Sequence, residues 1–283
     1  MKVHTFAPAE FLSRAGSWLE EREVEHHLFF RITGRFKAGV TTNRPAPWLA
    51  TVEQDGKIVA AAFMTPPYPL VISNAPPEAR AALMAHLDGM GLVPSGVNGH
   101  ADASTAFARE WAVGHGGSSE IAMRLGVFEA ISVIPPAPVP GSLRMMEERD
   151  VELVARWLRS FSVEALLPHE QESESEALAS ARERLGRRTM FLWDDGTPRA
   201  MAAGTGPSPH GMCINAVYTP PEFRRQGFAS ACVAGLTGHL LHEGRRFVCL
   251  FTDLSNPTSN SIYRKIGYKH VCEFADWKLL PSV

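Results

Sequence analysis

Apolar and polar positions alternate along this chain with two different periods. Segments in which apolar residues recur about every three to four positions predict helices with one buried face, and short apolar runs predict buried strands. The predicted helices cover residues 8–25, 77–88, 103–113, 150–161, 173–185, 228–242 and 257–266. The predicted strands cover residues 48–53, 58–64, 70–73, 119–128, 189–193, 199–204, 212–218, 247–252 and 271–279. Because the two kinds of segment are interleaved, the pattern predicts an α/β fold.

The order of these elements occurs twice along the chain. In each half, two apolar runs flank an Asp-Gly turn, at Asp55-Gly56 and at Asp195-Gly196, which is a strong signal for a β-hairpin. The proline-rich turn at 76–80 matches the turn at 220–224 at a constant offset. We therefore interpret the two halves as divergent copies of one unit.

The boundary between the halves is marked by proline. Four prolines stand between Ile134 and Ser142, where they can continue neither a helix nor a central strand. We expect an extended linker at this point. The predicted organisation is a first domain at 1–134, a linker at 135–142 and a second domain at 143–283.

The composition and the net charge are those of an ordinary globular protein. The chain is 45% hydrophobic and 20% charged, as is ordinary for a soluble globular protein, and its net charge of −2 favours neither nucleic acid nor an anionic membrane as partner. No apolar run approaches the roughly 20 residues of a membrane span. The first residues lack the apolar core of a signal peptide, so we expect a cytoplasmic protein.

The cysteines suggest packing rather than chemistry. Cys213, Cys232, Cys249 and Cys272 lie in apolar segments and form no C-x-x-C pair. Free cysteine is among the most buried residue types, so we expect buried thiols and neither a zinc site nor a disulfide framework. The histidines share no metal-ligand spacing either, so we expect no metal.

The most informative segment joins the predicted strand 212–218 to the helix 228–242. It carries the pattern Arg224-x-x-Gly227-x-Ala229. Backbone N–H groups at a helix start lack intrahelical partners and lie at the positive end of the helix dipole, which makes a site for an anion such as pyrophosphate. Gly227 and Ala229 leave room for a ligand to approach the backbone. Alone the pattern is weak, because any strand-to-helix turn can carry a glycine.

A second motif follows downstream, in the arrangement N-x-x-[AS]-x-x-x-Y-x-x-x-G-[FY]. It begins at Asn256 and includes Ser259, Tyr263 and Gly267. With both motifs in this order, residues from about 145 to 280 resemble the GCN5-related N-acetyltransferase (GNAT) superfamily. The loop position that is usually glycine is Ala229 here, which that family tolerates.

The whole chain resembles a tandem member of this superfamily with a degenerate first copy. On the offset between the two proline-rich turns, Leu83 stands where the second half has Gly227, so we expect one competent cofactor site, in the second half. The resemblance implies two tandem GNAT-like domains. Each would have a mixed, mostly antiparallel central sheet flanked by helices.

The resemblance also implies a cosubstrate, acetyl-CoA, with no metal. The backbone amides of residues 225–230 would hold the pyrophosphate. The strand at 216–219 would splay from its neighbour and bind the peptide-like pantetheine amides. The implied cofactor-binding residues are Ala216, Val217, Tyr218, Thr219, Arg224, Arg225, Gln226, Gly227, Phe228, Ala229, Ser230 and Asn256.

Two of the implied roles have structural alternatives. Tyr263 occupies the family's general-acid position, where a phenol protonates the departing thiolate, but it could also be a core tyrosine. Asn256 precedes Pro257 as a helix N-cap, and the resemblance adds a contact to the cofactor. The implied reaction is acetyl transfer to a primary amine by direct attack in a ternary complex. The alternative is a non-catalytic acyl-CoA-binding sensor or interaction module.

The general base and the acceptor stay open at this stage. Glu164, His169, Glu170 and His210 are candidate bases, although a solvated surface group is the simpler interpretation of each. The acidic run at 170–176 fits a solvated helix start, or it could attract a cationic amine. The acceptor could be a small molecule or a peptide amine, and the oligomeric state is equally open.

Overall fold

One twelve-stranded sheet runs through this computed structural model, which describes residues 1–37 and 46–282. The side chains of residues 35–37 and of His169 lie outside the description. The strands are β1 (Lys2–Thr5), β2 (Trp48–Gln54), β3 (Lys57–Met64), β4 (Leu70–Ile72), β5 (Gly96–His100), β6 (Ser118–Ala130), β7 (Ser142–Met145), β8 (Met190–Asp194), β9 (Pro198–Thr205), β10 (Gly211–Tyr218), β11 (Phe247–Asp253) and β12 (Lys269–Leu280). The helices are α1 (Pro8–Glu20), α2 (His27–Lys37), α3 (Pro77–Gly89), α4 (Ala101–Gly114), α5 (Val151–Ala165), α6 (Glu174–Gly186), α7 (Phe228–His242) and α8 (Pro257–Lys265).

The two halves exchange their last strands. The strand order is β1-β2-β3-β4-β5-β12-β6-β11-β10-β9-β8-β7, so β12 of the second half pairs with β5 of the first, and β6 of the first half pairs with β11 of the second. In the described sheet only β4–β5 and β10–β11 are parallel, and the other neighbours are antiparallel. The predicted α/β fold with mixed, mostly antiparallel sheets is therefore confirmed. The domain limits at 134 and 143 follow the chain order of the copies and stay a prediction.

Helices cover both faces of each half of the sheet. In the second half, α7 and α8 pack on one face and α5 and α6 on the other. In the first half, α3 and α4 lie against one apolar cluster and α1 and α2 against another. Among the described residues, no helix is both long enough and apolar enough to cross a membrane.

Most predicted helices and strands are present in the structure, but four of the described elements were not predicted. These are β1, α2, β5 and β7. Strand β5 reads Gly-Val-Asn-Gly-His, which offers neither an apolar run nor a clean alternation, and β1 and β7 are short strands at the two sheet edges. The helix predicted over 8–25 ends at Glu20, and a separate helix begins at His27.

The prediction that Leu83 takes the place of Gly227, which was based on the offset between the two proline-rich turns, is wrong. In the first half, α3 begins at Pro77, directly after the short connection 73–76, and Leu83 is a buried residue within that helix. In the second half, the matching prolines form a short 3₁₀ turn, and α7 begins only at Phe228, after a longer connection. Leu83 therefore does not take the place of Gly227. The first half lacks the loop itself.

The linker is held against the second half. The Trp193 indole N–H donates to the Pro140 carbonyl at 2.8 Å, and the Ile134 N–H donates to the Ile266 carbonyl at 3.0 Å. Val139 packs against the apolar cluster under α7. The linker thus follows the surface next to the start of that helix.

The exchanged strands predict that neither half folds by itself. A fragment of residues 143–283 would carry β12 without β5 and β6, and would expose the β11 edge that β6 covers in the whole chain. We expect fragments 1–134 and 143–283 to lack a cooperative thermal transition when expressed separately, and to recover one as a 1:1 complex when co-expressed. Calorimetry and size-exclusion chromatography measure this. A monomeric, cooperatively unfolding single fragment would contradict it.

Candidate active site

The parallel strands β10 and β11 separate towards their carboxyl ends. They pair from Gly211 with Phe247 as far as Ile214 with Leu250, and the described ladder between them stops there. A bulge in β10 follows at once, where the register with β9 shifts and Ala216 takes a φ of +49°. A bulge bends its strand and leaves a residue out of the ladder. The result is a gap in the sheet beside 216–219.

The first half has no such gap. There β4 and β5 pair as far as Ile72 with Gly99, at the end of β4. A Cβ atom on Gly99 would collide with the Ile72 carbonyl, so glycine permits the two strands to approach this closely. Within the described residues, the opening between parallel strands therefore belongs to the second half.

The loop before α7 presents free backbone donors at the end of this gap. Arg225 (φ +60°) and Gly227 (φ +92°) adopt left-handed conformations that turn the chain into the helix. The N–H groups of residues 225–230 donate to no acceptor in the described part of the chain. They lie at the amino end of a 15-residue helix, where the dipole favours an anion. The arrangement suits a phosphate or pyrophosphate.

Buried polar atoms without partners border the same gap. Three oxygen atoms have no hydrogen-bond partner among the described residues: Asn215 Oδ1 on β10, Thr219 Oγ1 directly after the end of β10, and Asn260 Oδ1 on α8. The Asn260 amide nitrogen donates to the Asp253 and Leu254 carbonyls at 3.1 and 3.2 Å, which fixes this side chain at the end of β11. Because such buried groups are normally satisfied, a polar ligand in the gap would account for them. Sequence reasoning missed Asn215 and Asn260, since no local pattern shows which polar groups lack partners.

Tyr263 lies on α8 in the apolar cluster that also holds Phe228 and, at its edge, Val217. Its side chain is 8% exposed, and burial raises the pKa of the phenol to about 12. The hydroxyl makes no hydrogen bond to another described residue. Tyr263 is thus a core residue whose phenol keeps its proton at physiological pH.

The two arginines of the loop differ in their hydrogen bonds and ion pairs. Arg224 donates through Nε to the Thr219 carbonyl at 2.9 Å and through Nη2 to Glu164 Oε2 at 2.6 Å. Arg225 is exposed and has no ion pair among the described residues. Arg224 therefore braces the loop, whereas the charge of Arg225 is available to a ligand. Gln226 donates to the Glu222 carbonyl at 3.0 Å and closes the turn.

The candidate bases lie at different distances from the open end of β10. Glu164, near the end of α5, accepts from the Tyr218 hydroxyl at 3.2 Å and so lies at the open end of β10. His210 precedes the other end of β10, about 25 Å away by the rise of a strand, and contacts the buried Glu23 at 2.7 Å. Glu170 is exposed and receives the Leu167 N–H at 3.4 Å. The side chain of His169 is outside the described residues.

Asn256 and the acidic run at 170–176 both act at helix starts, as the sequence predicted. Asn256 caps α8, accepting the Ser259 N–H at 3.1 Å. The acidic run begins α6 through a capping box, in which Ser173 accepts from the Glu176 N–H and the Glu176 carboxylate receives the Ser173 N–H at 2.8 Å. Neither role prevents a second contact to a ligand.

Comparison with known proteins agrees with this geometry. Residues 194–277, which hold the gap, the loop and α8, match the family model described as FR47-like protein. No curated protein matches the chain. Among solved structures, a Drosophila protein superposes with a TM-score of 0.71 at 13% identity, covering 99% of both chains. The GCN5-related N-acetyltransferase from Sphaerobacter thermophilus gives a TM-score of 0.63 at 18% identity, covering 99% of this chain and 97% of that one.

One further similarity decides the arrangement of the two halves. A tandem GNAT protein from the clavulanic acid biosynthesis pathway matches with a TM-score of 0.57 at 13% identity, over 100% of this chain and 99% of that one. The chain has a tandem GNAT fold. The predicted resemblance to this superfamily is therefore confirmed at the level of the fold. In this tandem GNAT fold, the gap lies between β10 and β11, next to the start of α7. The corresponding strands of the first half, β4 and β5, stay paired to the end of β4 and leave no gap.

Gly227 should be the more constrained of two glycines that flank α7. Gly227 and Gly244 have nearly equal φ values, +92° and +91°, but a Cβ on Gly227 would lie 2.9 Å from Val139 Cγ1, whereas a Cβ on Gly244 would meet nothing within 4 Å. Alanine at either position costs about 1–2 kcal/mol for the left-handed backbone. We expect Gly227→Ala to lower the urea midpoint further than Gly244→Ala, since Val139 must also move. Equal losses would contradict the close packing of the linker on the loop.

Proposed function

We propose that the chain is an N-acetyltransferase that moves an acetyl group from acetyl-CoA to a primary amine. The observation that carries this proposal is the gap between β10 and β11, which leads to the free N–H groups at the start of α7. An elongated ligand with a peptide-like arm and a pyrophosphate matches both parts of that surface.

The binding roles follow from the donors and acceptors of the site. The N–H groups of residues 225–230 would hold the pyrophosphate, and Arg225 would add a charge-assisted contact. The open edge of β10 at 216–219 would pair with the pantetheine amides as with a peptide strand. Asn215, Thr219 and Asn260 would gain partners for their buried oxygen atoms, and the free amide nitrogen of Asn256 could reach the same ligand.

The chemical roles rest on the same elements. When bound, acetyl-CoA supplies the acetyl group as an activated thioester. A backbone N–H at the bulge, near Val217 and Tyr218, would polarise the carbonyl oxygen. Tyr263, with its raised pKa, would donate a proton to the departing sulfur, so no covalent enzyme intermediate is needed. Glu164 is the described candidate nearest the open end of β10 and would accept a proton from the amine.

The acceptor would be a small-molecule or peptide amine that enters beside α5. Glu164 is paired with Arg224 there, and Tyr218 donates to the same carboxylate. A cationic amine can compete with Arg224 for Glu164, because exposed ion pairs are weak. The acidic start of α6 would favour the approach of such a cation.

Titration with acetyl-CoA tests the number of sites. We expect one equivalent per chain by isothermal titration calorimetry, because within the described residues only the second half has both the gap and the loop. Occupancy of two equal sites would contradict the assignment.

A thiol-release assay with a panel of amines separates catalysis from the alternative, a non-catalytic acyl-CoA-binding module. Release of CoA that depends on an amine supports the enzyme. Tight binding of acetyl-CoA without turnover on any amine of the panel would favour the sensor.

Replacing Tyr263 by phenylalanine tests the proton donor. We expect kcat to fall by about 100-fold or more, which is the scale of general-acid catalysis, while the Kd for acetyl-CoA changes little. Stopped assays across the pH range, combined with calorimetric binding, measure both quantities.

Tyr268→Phe is the matched control, since Tyr268 lies in the same apolar cluster and shares a hydrogen bond of 2.8 Å with Thr237. This change should cost about 1 kcal/mol of stability and leave kcat unchanged. An unaltered kcat for Tyr263→Phe at every pH, with acetyl-CoA binding intact, would remove the catalytic role.

A further inference from the structure

Three metal-ligating side chains meet on the opposite side of the sheet from α7 and α8. They are His27 at the start of α2, Cys213 on β10 and Cys249 on β11, and their ligand atoms all lie within 4.8 Å of one another. The three residues are 0%, 4% and 0% exposed. They come from both halves of the chain, and none belongs to the proposed acetyl-CoA site.

His27 lacks the hydrogen bonds that a buried imidazole needs. Neither Nδ1 nor Nε2 has a partner of normal geometry in the described part of the chain, although the carbonyl groups of Thr205 and Gly206 face the ring. The His27 side chain is fully buried, and a neutral imidazole keeps a lone pair that can bind a metal ion. A ligating histidine typically turns its other nitrogen to a backbone carbonyl, a role that Thr205 or Gly206 can fill.

The two cysteines are fixed side by side. Cys213 and Cys249 are register partners in the parallel pairing of β10 and β11, so their side chains leave the same face of the sheet. The thiols contact each other. This contact places the two sulfur atoms next to each other, within reach of His27. The pair can therefore share a cation without any movement of the backbone register.

The surroundings favour a divalent ion. The two cysteines lie in an apolar cluster with Val24, Val127, Phe247 and Phe274. Two thiolates and one divalent cation sum to no net charge, which keeps the cost of burial low. Soft sulfur ligands with one imidazole are typical of zinc, and hard cations such as magnesium prefer oxygen.

We propose that His27, Cys213 and Cys249 bind one Zn²⁺ ion. In a tetrahedral zinc site the ligand atoms lie about 3.7 Å apart, given a Zn–S distance of about 2.3 Å. The cluster therefore needs only a small contraction, and a water molecule completes the fourth position. The ion would tie α2 of the first half to β10 and β11 of the second, one residue before the last paired position ahead of the gap.

The metal content of the full chain tests this assignment. Protein that has been reduced and freed of metal with a chelator should take up one equivalent of Zn²⁺. The Co²⁺ form should show a thiolate-to-cobalt charge-transfer band and the visible bands of tetrahedral cobalt. X-ray absorption of the zinc form should give two sulfur neighbours at about 2.3 Å and nitrogen or oxygen neighbours at about 2.0 Å.

Single substitutions assign the ligands. Cys213→Ser, Cys249→Ser and His27→Gln should each abolish stoichiometric uptake. Cys232→Ser is the matched control, because Cys232 is equally buried but lies on α7 outside the cluster, and it should bind zinc like the wild type. Each variant is first shown to unfold cooperatively.

The spectra of the wild type decide the outcome even if a variant does not fold. A reduced wild-type chain that takes up no zinc, or a zinc form without sulfur neighbours, would overturn the proposal. Stoichiometric binding that survives both cysteine substitutions would overturn it as well.

Discussion

Strands β6 and β12 pair along almost their whole length and join the two halves of the chain into one sheet. Residues 118–129 of the first half run antiparallel to residues 269–280 of the second, and each of these strands also completes the sheet of the other half. Backbone hydrogen bonds therefore continue from one edge strand to the other, and the two halves cannot separate without breaking a sheet at its centre. A tandem arrangement on two independent sheets would allow relative motion of the domains. Here the shared sheet fixes them.

The first half contributes structural support to the second half, although its own parallel strands are closed. The connection between α1 and α2 lies on the central strands, where Val24 packs with Val127 and Phe274, and Glu23 contacts His210 at 2.7 Å. Hydrogen bonds from Ser208 and His210 outweigh the effect of burial and lower the pKa of Glu23, so this carboxylate stays charged at the junction. The first half thus supports β10 from behind, and β10 forms one wall of the gap.

Much of the fold and part of the site could be predicted from the sequence. Unbroken apolar runs identified the central strands, and Gly227 identified the start of α7, because these signals are local. The register of the two copies could not be predicted in the same way. The two matching proline pairs have different structures: Pro76-Pro77 begins helix α3, whereas Pro220-Pro221 begins a 3₁₀ turn that precedes the loop at Gly227. The proline pattern by itself does not distinguish these two outcomes. The strand exchange, and with it the meeting of His27 with Cys213, depends on contacts between residues distant in the sequence.

The open half differs from the closed one in the bulge at Ala216 and in the loop before α7. A non-glycine residue with φ above zero is strained, so the surroundings must hold Ala216 in place. Ala216 is buried against α5 and α6, and Tyr218, two residues on, is held by Glu164. In the first half, Gly99 lets β5 lie close to β4, and the short connection to α3 leaves no room for a loop. A single substitution of Gly99 would therefore crowd β4 without creating a site, because the N–H groups that we propose to hold an anion come from a loop that has no counterpart among the described residues of the first half.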